Sequence, residues 1–483
     1  MQMVRWLSGR GVALCLASLL LACTPTYREG LPPGSPFSDD DSRSQPLFAE
    51  GVATGDVTDS SAVVWLRTSR PALVRIDYAP TDPTSRAGES SGQMDGGMVE
   101  GRTEASRDLT LKVELSGLRP QTRYRLRLSA SGSDSTPAAE FTTLPASQSA
   151  SPLLFGWSGD LGGQGRCRTG SDSYGIFSLI QDRAPDFFLF LGDTIYADEI
   201  CGPPNLLGSD FLGGTLEQYR AKHRYQRGSI PLQRFLASVP VFVTWDDHDV
   251  RNNFAGRFDD RMPTGRQALF EYWPLREGPE APFRLYRRVR AGADLELFVL
   301  DTRQYRSRNA EPDGPSKTML GAEQLVWLME GLRTSTATWK VIVSSVPLSV
   351  PKPGTAEEPG FDGWAGGQAG TGFEWELKKI ARVIVEAPVR NVVWLTGDVH
   401  FVQGLAYDVD RDGRADFHEF TAGPLSAGTG RVAAAQSPFA VTTLVSEGGY
   451  QNFGLVRVDG RSFDVKVIDG EGRERFAHRL TAR

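Results

Sequence analysis

Histidine is scarce in this chain: five among 483 residues. Any metal centre must therefore lean on carboxylates and other oxygen donors. Charge is nearly balanced, at −6 overall, so no excess of either sign calls for a nucleic-acid partner. No apolar run is long enough to span a bilayer comfortably; the longest at the start, Val12 to Ala22, falls short of the ~20 residues a spanning helix needs. The start carries no twin-arginine pair, and the chain shows no fixed-period repeat. Cysteine is limited to four residues.

What is present at the start decides the expected compartment. Arg5 and Arg10 precede the apolar run, which closes on Leu20-Leu21-Ala22-Cys23. A basic start, a short apolar core and a small residue before the cleavage point form a secretory signal. A Cys after Leu-Leu-Ala resembles the lipobox of bacterial lipoproteins, which implies acylation of Cys23, a mature chain starting there, and attachment to a membrane through lipid. The plainer alternative is an ordinary signal with an incidental Cys. Thr24 at the following position favours the outer membrane, so the expected location is secreted, periplasmic or outer-membrane. Cys15 leaves with the signal, and Cys167 and Cys201 remain. Two cysteines left over in an oxidising compartment suggest a disulfide, with two free thiols or a metal-ligating Cys167 as alternatives.

Residues 24–45 are rich in Pro, Ser, Gly and Asp and have little apolar periodicity, as expected of a tether. Residues 46–147 carry short apolar or alternating runs, among them Ala62–Leu66, Val74–Tyr78, Leu109–Leu115 and Tyr124–Ala130, separated by turn residues. Leu118, Pro120, Thr122 and Tyr124 resemble the tyrosine corner of fibronectin-type-III sandwiches. From residue 148 to 483 the pattern becomes α/β: apolar runs at Phe187–Leu191, Val241–Trp245, Leu295–Leu300, Val341–Ser345 and Val392–Thr396 alternate with helical stretches such as Ala322–Leu332 and Glu374–Val385. The expected chain is thus a signal, a tether, an all-β sandwich, and a layered α/β catalytic domain.

The acidic residues fall in a telling place. Phe155–Ser158 leads into Gly159-Asp160, Phe187–Leu191 into Gly192-Asp193, Val241–Trp245 into Asp246-Asp247-His248-Asp249, and Val392–Thr396 into Gly397-Asp398-Val399-His400. Ligands of open α/β sheets bind at the carboxyl ends of strands. Four such ends from one sheet would gather several carboxylates and two imidazoles in one place. Burying like charges unpaired is prohibitive, and cations remove that penalty. The chemistry implied is two metals about 3.5–4 Å apart that clamp a phosphoryl group and activate a water or hydroxide. A single Asp after a strand is more often a turn or helix cap; four in one chain form a constellation.

Specific motifs then point to a family. Gly192-Asp193-Thr194-Ile195-Tyr196-Ala197-Asp198 resembles the G-D-x-I-Y block of alkaline phosphatase D (PhoD) enzymes. Trp245-Asp246-Asp247-His248-Asp249-Val250-Arg251-Asn252-Asn253 resembles their W-D-D-H block. Leu300–Arg306, Met319–Gly321, Gln324–Leu328 and Gly397–His400 follow in the family's order, and Gly51–Asp56 with Val64–Arg67 resembles its N-terminal domain. The likeness runs from about Phe48 to about Gly430 and implies a metallophosphoesterase αββα catalytic domain behind a fibronectin-III-like sandwich. It implies Asp193 as the carboxylate bridging two metals, Tyr196 as a phenolate ligand, Asp247 on the second metal, and Asp398 and His400 completing the set. His248 would be the catalytic imidazole. Asn252 or Asn253 would reach the second metal. Many family members place Ser-Cys after the first strand; here Gly159-Asp160 stands there, so Asp160 rather than Cys167 is the expected ligand. A carboxylate for a thiolate hardens the site, so Fe³⁺, Ca²⁺, Mn²⁺ and Zn²⁺ all remain candidates.

A further run, Asp408, Asp410, Asp412 and Asp416 around Gly413, is spaced to wrap oxygens around a structural Ca²⁺; a solvated acidic turn is the alternative. Gly360–Gly372, with Trp364 among many glycines, reads as a candidate mobile loop over the site. The resemblance implies metal-dependent hydrolysis of phosphate mono- or diesters by a metal-bound hydroxide. The alternatives are a narrow phosphodiesterase acting on phospholipid or cell-wall polymers, and a lipid-anchored binding protein with a structural metal site. The oligomeric state is not legible.

Overall fold

The computed structural model describes residues 47–81, 96–130, 138–367, 370–387 and 389–483. Cys23 and the signal and tether read from residues 1–45 lie outside them. The first seven strands are β1 (Val52–Gly55), β2 (Ser61–Arg67), β3 (Leu73–Pro80), β4 (Gly97–Arg102), β5 (Thr110–Ser116), β6 (Arg123–Ala130) and β7 (Ala138–Thr142). In β6 the odd-numbered positions face solvent while Tyr124, Leu126 and Leu128 are buried, the period-2 pattern of a half-buried strand. The order β4-β3-β6-β7 makes one antiparallel sheet; β1, β2 and β5 face it as the second layer of a sandwich. The Tyr124 hydroxyl accepts from the Arg119 N–H at 2.9 Å, the bond that defines a tyrosine corner.

The next strands are β8 (Leu153–Ser158), β9 (Phe187–Phe190) and β10 (Val241–Val243), all parallel to one another. They share a nine-stranded sheet with β18 (Asn452–Asp459), β19 (Ser462–Asp469) and β20 (Glu474–Thr481), in the order β20-β19-β18-β8-β9-β10-β1-β2-β5. The sandwich is therefore not a bead on a string: its strand β1 pairs in parallel with β10 through Gly55 and Val241. A second sheet, in the order β11-β12-β13-β14-β16-β15-β17, is built from β11 (Arg287–Ala291), β12 (Leu295–Val299), β13 (Trp339–Val343), β14 (Val392–Thr396), β15 (Val402–Asp408), β16 (Phe417–Thr421) and β17 (Ala440–Glu447).

The two large sheets pack face to face over one core that includes Phe155, Phe187, Leu189, Leu297, Val341, Val393 and Val456. Short apolar runs buried on both faces are what parallel strands covered by helices require. Helices α1 (Ile176–Asp182), α2 (Leu216–Arg227), α3 (Ile230–Leu236) and α4 (Met262–Tyr272) lie on the side of β8–β10, where α1, α3 and α4 share a second core with Phe188, Phe190 and Val241. Helices α5 (Gly321–Thr334) and α6 (Glu374–Glu386) cover the other sheet. The result is the layered αββα arrangement expected from the motifs.

Helix α2 starts where Thr215 and Gln218 reciprocally cap each other, which satisfies orphan N–H groups. It carries Arg227, whose buried guanidinium lies 4.2 Å from the Trp65 ring and 4.5 Å from the Trp273 ring. A desolvated cation–π contact of this kind is worth about 2 kcal/mol. Trp65 also donates from Nε1 to the Glu271 carbonyl at 2.7 Å. The sandwich is thus keyed into the helical layer behind β10, close to the strand ends that carry the acidic residues.

Candidate metal centre and active site

Three of the four acidic strand ends, after β8, β9 and β10, belong to one sheet. The fourth does not: β14 pairs in parallel with β13 and β16 of the facing sheet. Asp398 and His400 therefore approach from across the sandwich of sheets. Facing sheets give their carboxyl ends a common edge, so the residues still converge. Thr244 Oγ1 donating to the Leu300 carbonyl at 2.8 Å and Trp245 Nε1 donating to Asp301 at 2.8 Å hold the two ends together.

The turns that present these side chains are conformationally costly. Asp160, Asp193, Asn253, Asp398 and His400 all have positive φ, between 49° and 73°. Non-glycine residues rarely adopt that region, and such outliers gather at functional sites. Gly192 goes further, with φ of 109° and space so tight that a Cβ would meet the Asp246 nitrogen at 2.4 Å. Only glycine permits β9 to end this close to β10. Gly163 serves Tyr196 in the same way, since a Cβ there would lie 2.2 Å from the tyrosine ring.

Three overlapping groups of side chains are near enough to share an ion: Asp160, Asp193 and His400; Asp193, Asp247 and His248; and Asp246, Asp247 and Asp398. Asp193 belongs to the first two, Asp247 to the last two. Tyr196 is fully packed beside the first group, its hydroxyl 3.1 Å from His400 Nε2. His400 Nδ1 is engaged by the Gly428 carbonyl, which fixes the tautomer with Nε2 facing the carboxylates, 3.2 Å from Asp160. Cys167 is not among these groups: it forms a disulfide with Cys201, tying the loop after β8 to the segment that follows Tyr196.

Burial alone pushes Asp193 well above the usual carboxylate range, and the charges of Asp247, Asp246 and Asp160 push it further. Tyr196 is raised by burial and by Asp193 and Asp160. Asp247 goes the opposite way. Burial would raise it, but Lys352, Arg303 and His248 hold it well below the usual range. Burial raises Asp398 and Asp246 despite their cationic neighbours.

The cations come from loops. Arg303, fully buried, forks both oxygens of Asp362 at 2.7 Å and turns its Nε to Asp246. Arg306 pairs with Asp362 at 2.7 Å. Lys352 pairs with Asp398 and lies 3.6 Å from both Asp247 and Asp362. Even so, Asp160 Oδ2, Asp246 Oδ2, Asp398 Oδ2 and Asn253 Oδ1 are buried without a hydrogen-bond partner. Leaving a buried acceptor unsatisfied costs about 1–3 kcal/mol each. Four at one place, all hard oxygen donors beside two imidazoles, suit divalent or trivalent cations.

His248 sits between the groups. Its ring stacks on Tyr196 at 4.2 Å, and its Nδ1 lies 2.7 Å from Asp198. Burial works against its charge, but Asp247 and Asp198 outweigh that and bring its pKa up to about 9. Asp198 in turn accepts from the Asn252 N–H at 2.7 Å. Asp249 accepts from Thr194 and from the Asp246 N–H, so it braces the turn. Of the two asparagines, Asn253 is buried with its side-chain oxygen free.

The glycine-rich segment after Gly360 carries two buried side chains. Asp362 is fully buried in the arginine network and Trp364 is buried against Trp394 at 6.2 Å; residues 368 and 369 lie outside the described residues. A Cβ at Gly360 would meet the Asn309 carbonyl oxygen at 2.3 Å, so close packing calls for glycine at that position. In the hairpin between β15 and β16, Asp408, Asp410 and Asp416 converge. Asp412 stays outside that group, its carboxylate accepting from the Arg414 N–H at 2.8 Å.

Comparison with known proteins agrees with this geometry. Residues 163–467 match the sequence profile of the PhoD-like phosphatase family, and residues 34–145 match its N-terminal domain. Alkaline phosphatase D of Bacillus subtilis (strain 168) is 28% identical over 405 residues, 73% of this chain and 64% of that protein. The chain thus spans less than two thirds of that relative's length. In structure it resembles PhoD, with a TM-score of 0.73 and 24% identity over 91% of this chain and 90% of that one. It also resembles the purple acid phosphatase PPD1 from yellow lupin seeds, with a TM-score of 0.60 and 12% identity over 89% and 73%.

Proposed function

Because the chain belongs to the PhoD-like phosphatase family, we propose that it is a metal-dependent phosphoric ester hydrolase acting on phosphate mono- and diesters. The observation that carries this reading is the set of four buried, unpartnered oxygens at the meeting of the strand ends. Asp160, Asp193, Tyr196 and His400 would hold one ion. Asp247 and Asp398, joined by Asp246 and Asn253, would hold a second, with Asp193 shared. Bound ions supply Lewis acidity at the phosphoryl oxygens and lower the pKa of water. The oxygen-rich set leaves Fe³⁺, Ca²⁺, Mn²⁺ and Zn²⁺ as candidates.

The chain's own residues do the rest. Asp198 holds Nδ1 of His248, which leaves Nε2 as the ring atom to meet the ester. A protonated His248 gives its proton to the departing alkoxide, a contribution of about 10²–10⁴ in rate. Tyr196 packs flat against the imidazole and fixes its plane. Arg303 offsets the charge of Asp246 and Asp362 from behind.

In this reading the enzyme is exported and held to a membrane by lipid on Cys23, supported by the basic, apolar and Leu-Leu-Ala-Cys succession at the start. The sandwich of residues 46–147 is a structural module abutting the catalytic region of 148–483. The Asp408–Asp416 hairpin is a candidate structural Ca²⁺ loop, which the convergence of three of its four carboxylates supports.

Hydrolysis of p-nitrophenyl phosphate and bis-p-nitrophenyl phosphate, before and after chelation, tests the function. Turnover should vanish with chelation and return with added metal, and the ratio of the two substrates separates monoesterase from diesterase. Metal-loaded, folded protein with no turnover on either ester contradicts a broad phosphatase.

A further inference from the structure

Around the second half of the site, four carboxylates, Asp246, Asp247, Asp362 and Asp398, are matched by the buried guanidiniums of Arg303 and Arg306. With all four ionised, the state a bound cation favours, four negative charges less two leave two, the magnitude of charge on one divalent cation. The Lys352 ammonium, paired with Asp398 and 3.6 Å from Asp247 and Asp362, covers one of those two. Its backbone is held: the Lys352 carbonyl accepts from the Asp362 N–H at 2.9 Å, and prolines 351 and 353 flank it. Its side chain is not sealed in, being 22% exposed against 0% for Arg303. Four rotatable bonds on a pinned backbone allow the ammonium to leave toward solvent while the arginines stay.

We propose that Lys352 is a tethered counter-cation that competes with the second metal ion for Asp247 and Asp398. The inference rests on the reading of this site as a metal centre. In the metal-free protein the ammonium offsets part of the charge of these carboxylates. When an ion enters, two positive charges within a few ångströms repel strongly in a site of low dielectric, and the lysine side chain swings out. With the ammonium withdrawn, the ion's two positive charges balance the two negative charges that the arginines leave.

Calorimetric titration of chelator-stripped protein with Mn²⁺, for wild type and Lys352→Met, tests this. Wild type should bind two ions in separable steps. Lys352→Met should tighten the weaker step on the order of tenfold or more and leave the tighter one unchanged. Unchanged or weaker binding in that step overturns the inference. Fewer than two ions bound by both proteins overturns the underlying metal-centre reading instead. Should the variant not fold, wild-type protein gives a second readout. Pulse acylation with an amine reagent, followed by peptide mass analysis, should label Lys352 several-fold faster with Mn²⁺ than without, normalised to Lys466. Equal or slower labelling with Mn²⁺ overturns the inference.

Discussion

Asp193 and Asp247 end neighbouring strands and are equally buried, yet their surroundings set them apart. Burial and four neighbouring carboxylates hold Asp193 far above the usual range. Burial is overcome at Asp247 by Lys352, Arg303 and His248, which hold it far below. Among the described residues, no lysine or arginine pairs with Asp160 or Asp193, whereas the half around Asp247 has three cations of its own. One half is thus an acidic nest that depends on an external cation. The other is largely neutralised before any ion arrives. The difference teaches that similar ligand sets can differ in what they do to the empty fold: the first half destabilises it and the second braces it.

The largest effect should come from the residue both halves share. Asp193→Asn should lower kcat by about 10³ or more, because several kcal/mol of charge stabilisation go with the metals; initial rates alongside metal analysis check it. His248→Ala should follow, with a loss of about 10²–10⁴ in kcat and metal content unaltered. Loss of metal together with activity would place His248 among the ligands instead.

The comparison itself is sharpened by two isosteric changes read in metal-free protein by denaturant unfolding. Asp362→Asn leaves Arg303 and Arg306 without their shared carboxylate and should cost about 3–5 kcal/mol, as for other broken buried pairs. Asp160→Asn removes a carboxylate crowded beside Asp193 and should leave stability within about 1 kcal/mol or raise it. Equal losses would break the distinction between the halves.

A further effect, confined to acid pH, lies away from both halves. His223, stacked on Tyr272 at 5.0 Å, is pressed by burial and then by Arg227 and Arg224 to a pKa of about 3. Folded protein keeps this ring neutral down to that pH, while the unfolded chain protonates it below about 6.5. Above 6.5 neither state binds the proton and nothing is lost. From 6.5 down toward 3 the unfolded state binds more protons, so this group alone costs about 1.4 kcal/mol per pH unit. His223→Gln should flatten the acid side of a stability-against-pH curve by that slope; an unchanged slope would contradict it.

Much of this was legible in the sequence because strand ends are local. An apolar run followed by Asp, three times through Gly, declares both the strand and the carboxylate beyond it, and all four such ends converge at the candidate site. Which sheet each joined was not legible: β14 reads like β9, and only its pairing with β13 and β16 puts Asp398 on the opposite sheet. Arg303, Lys352 and Asp362 were invisible for a related reason. They come from loops distant in sequence, and a lone Arg, Lys or Asp in a loop looks like solvated surface until its partner is placed. Asp198 stood within a recognised motif, and its place two residues after Tyr196 gave no sign that it would meet His248. The burial of Trp364 was not legible from the glycines around it, because close packing and mobility call for the same residue.

The most direct test of the account is an anomalous difference map from crystals of the protein soaked in Mn²⁺. Two peaks should appear, both touching Asp193, one beside Asp160 and His400 and the other beside Asp247 and Asp398, with the Lys352 ammonium withdrawn from Asp398. A single peak, or ions lying elsewhere while Lys352 stays on Asp398, would contradict it.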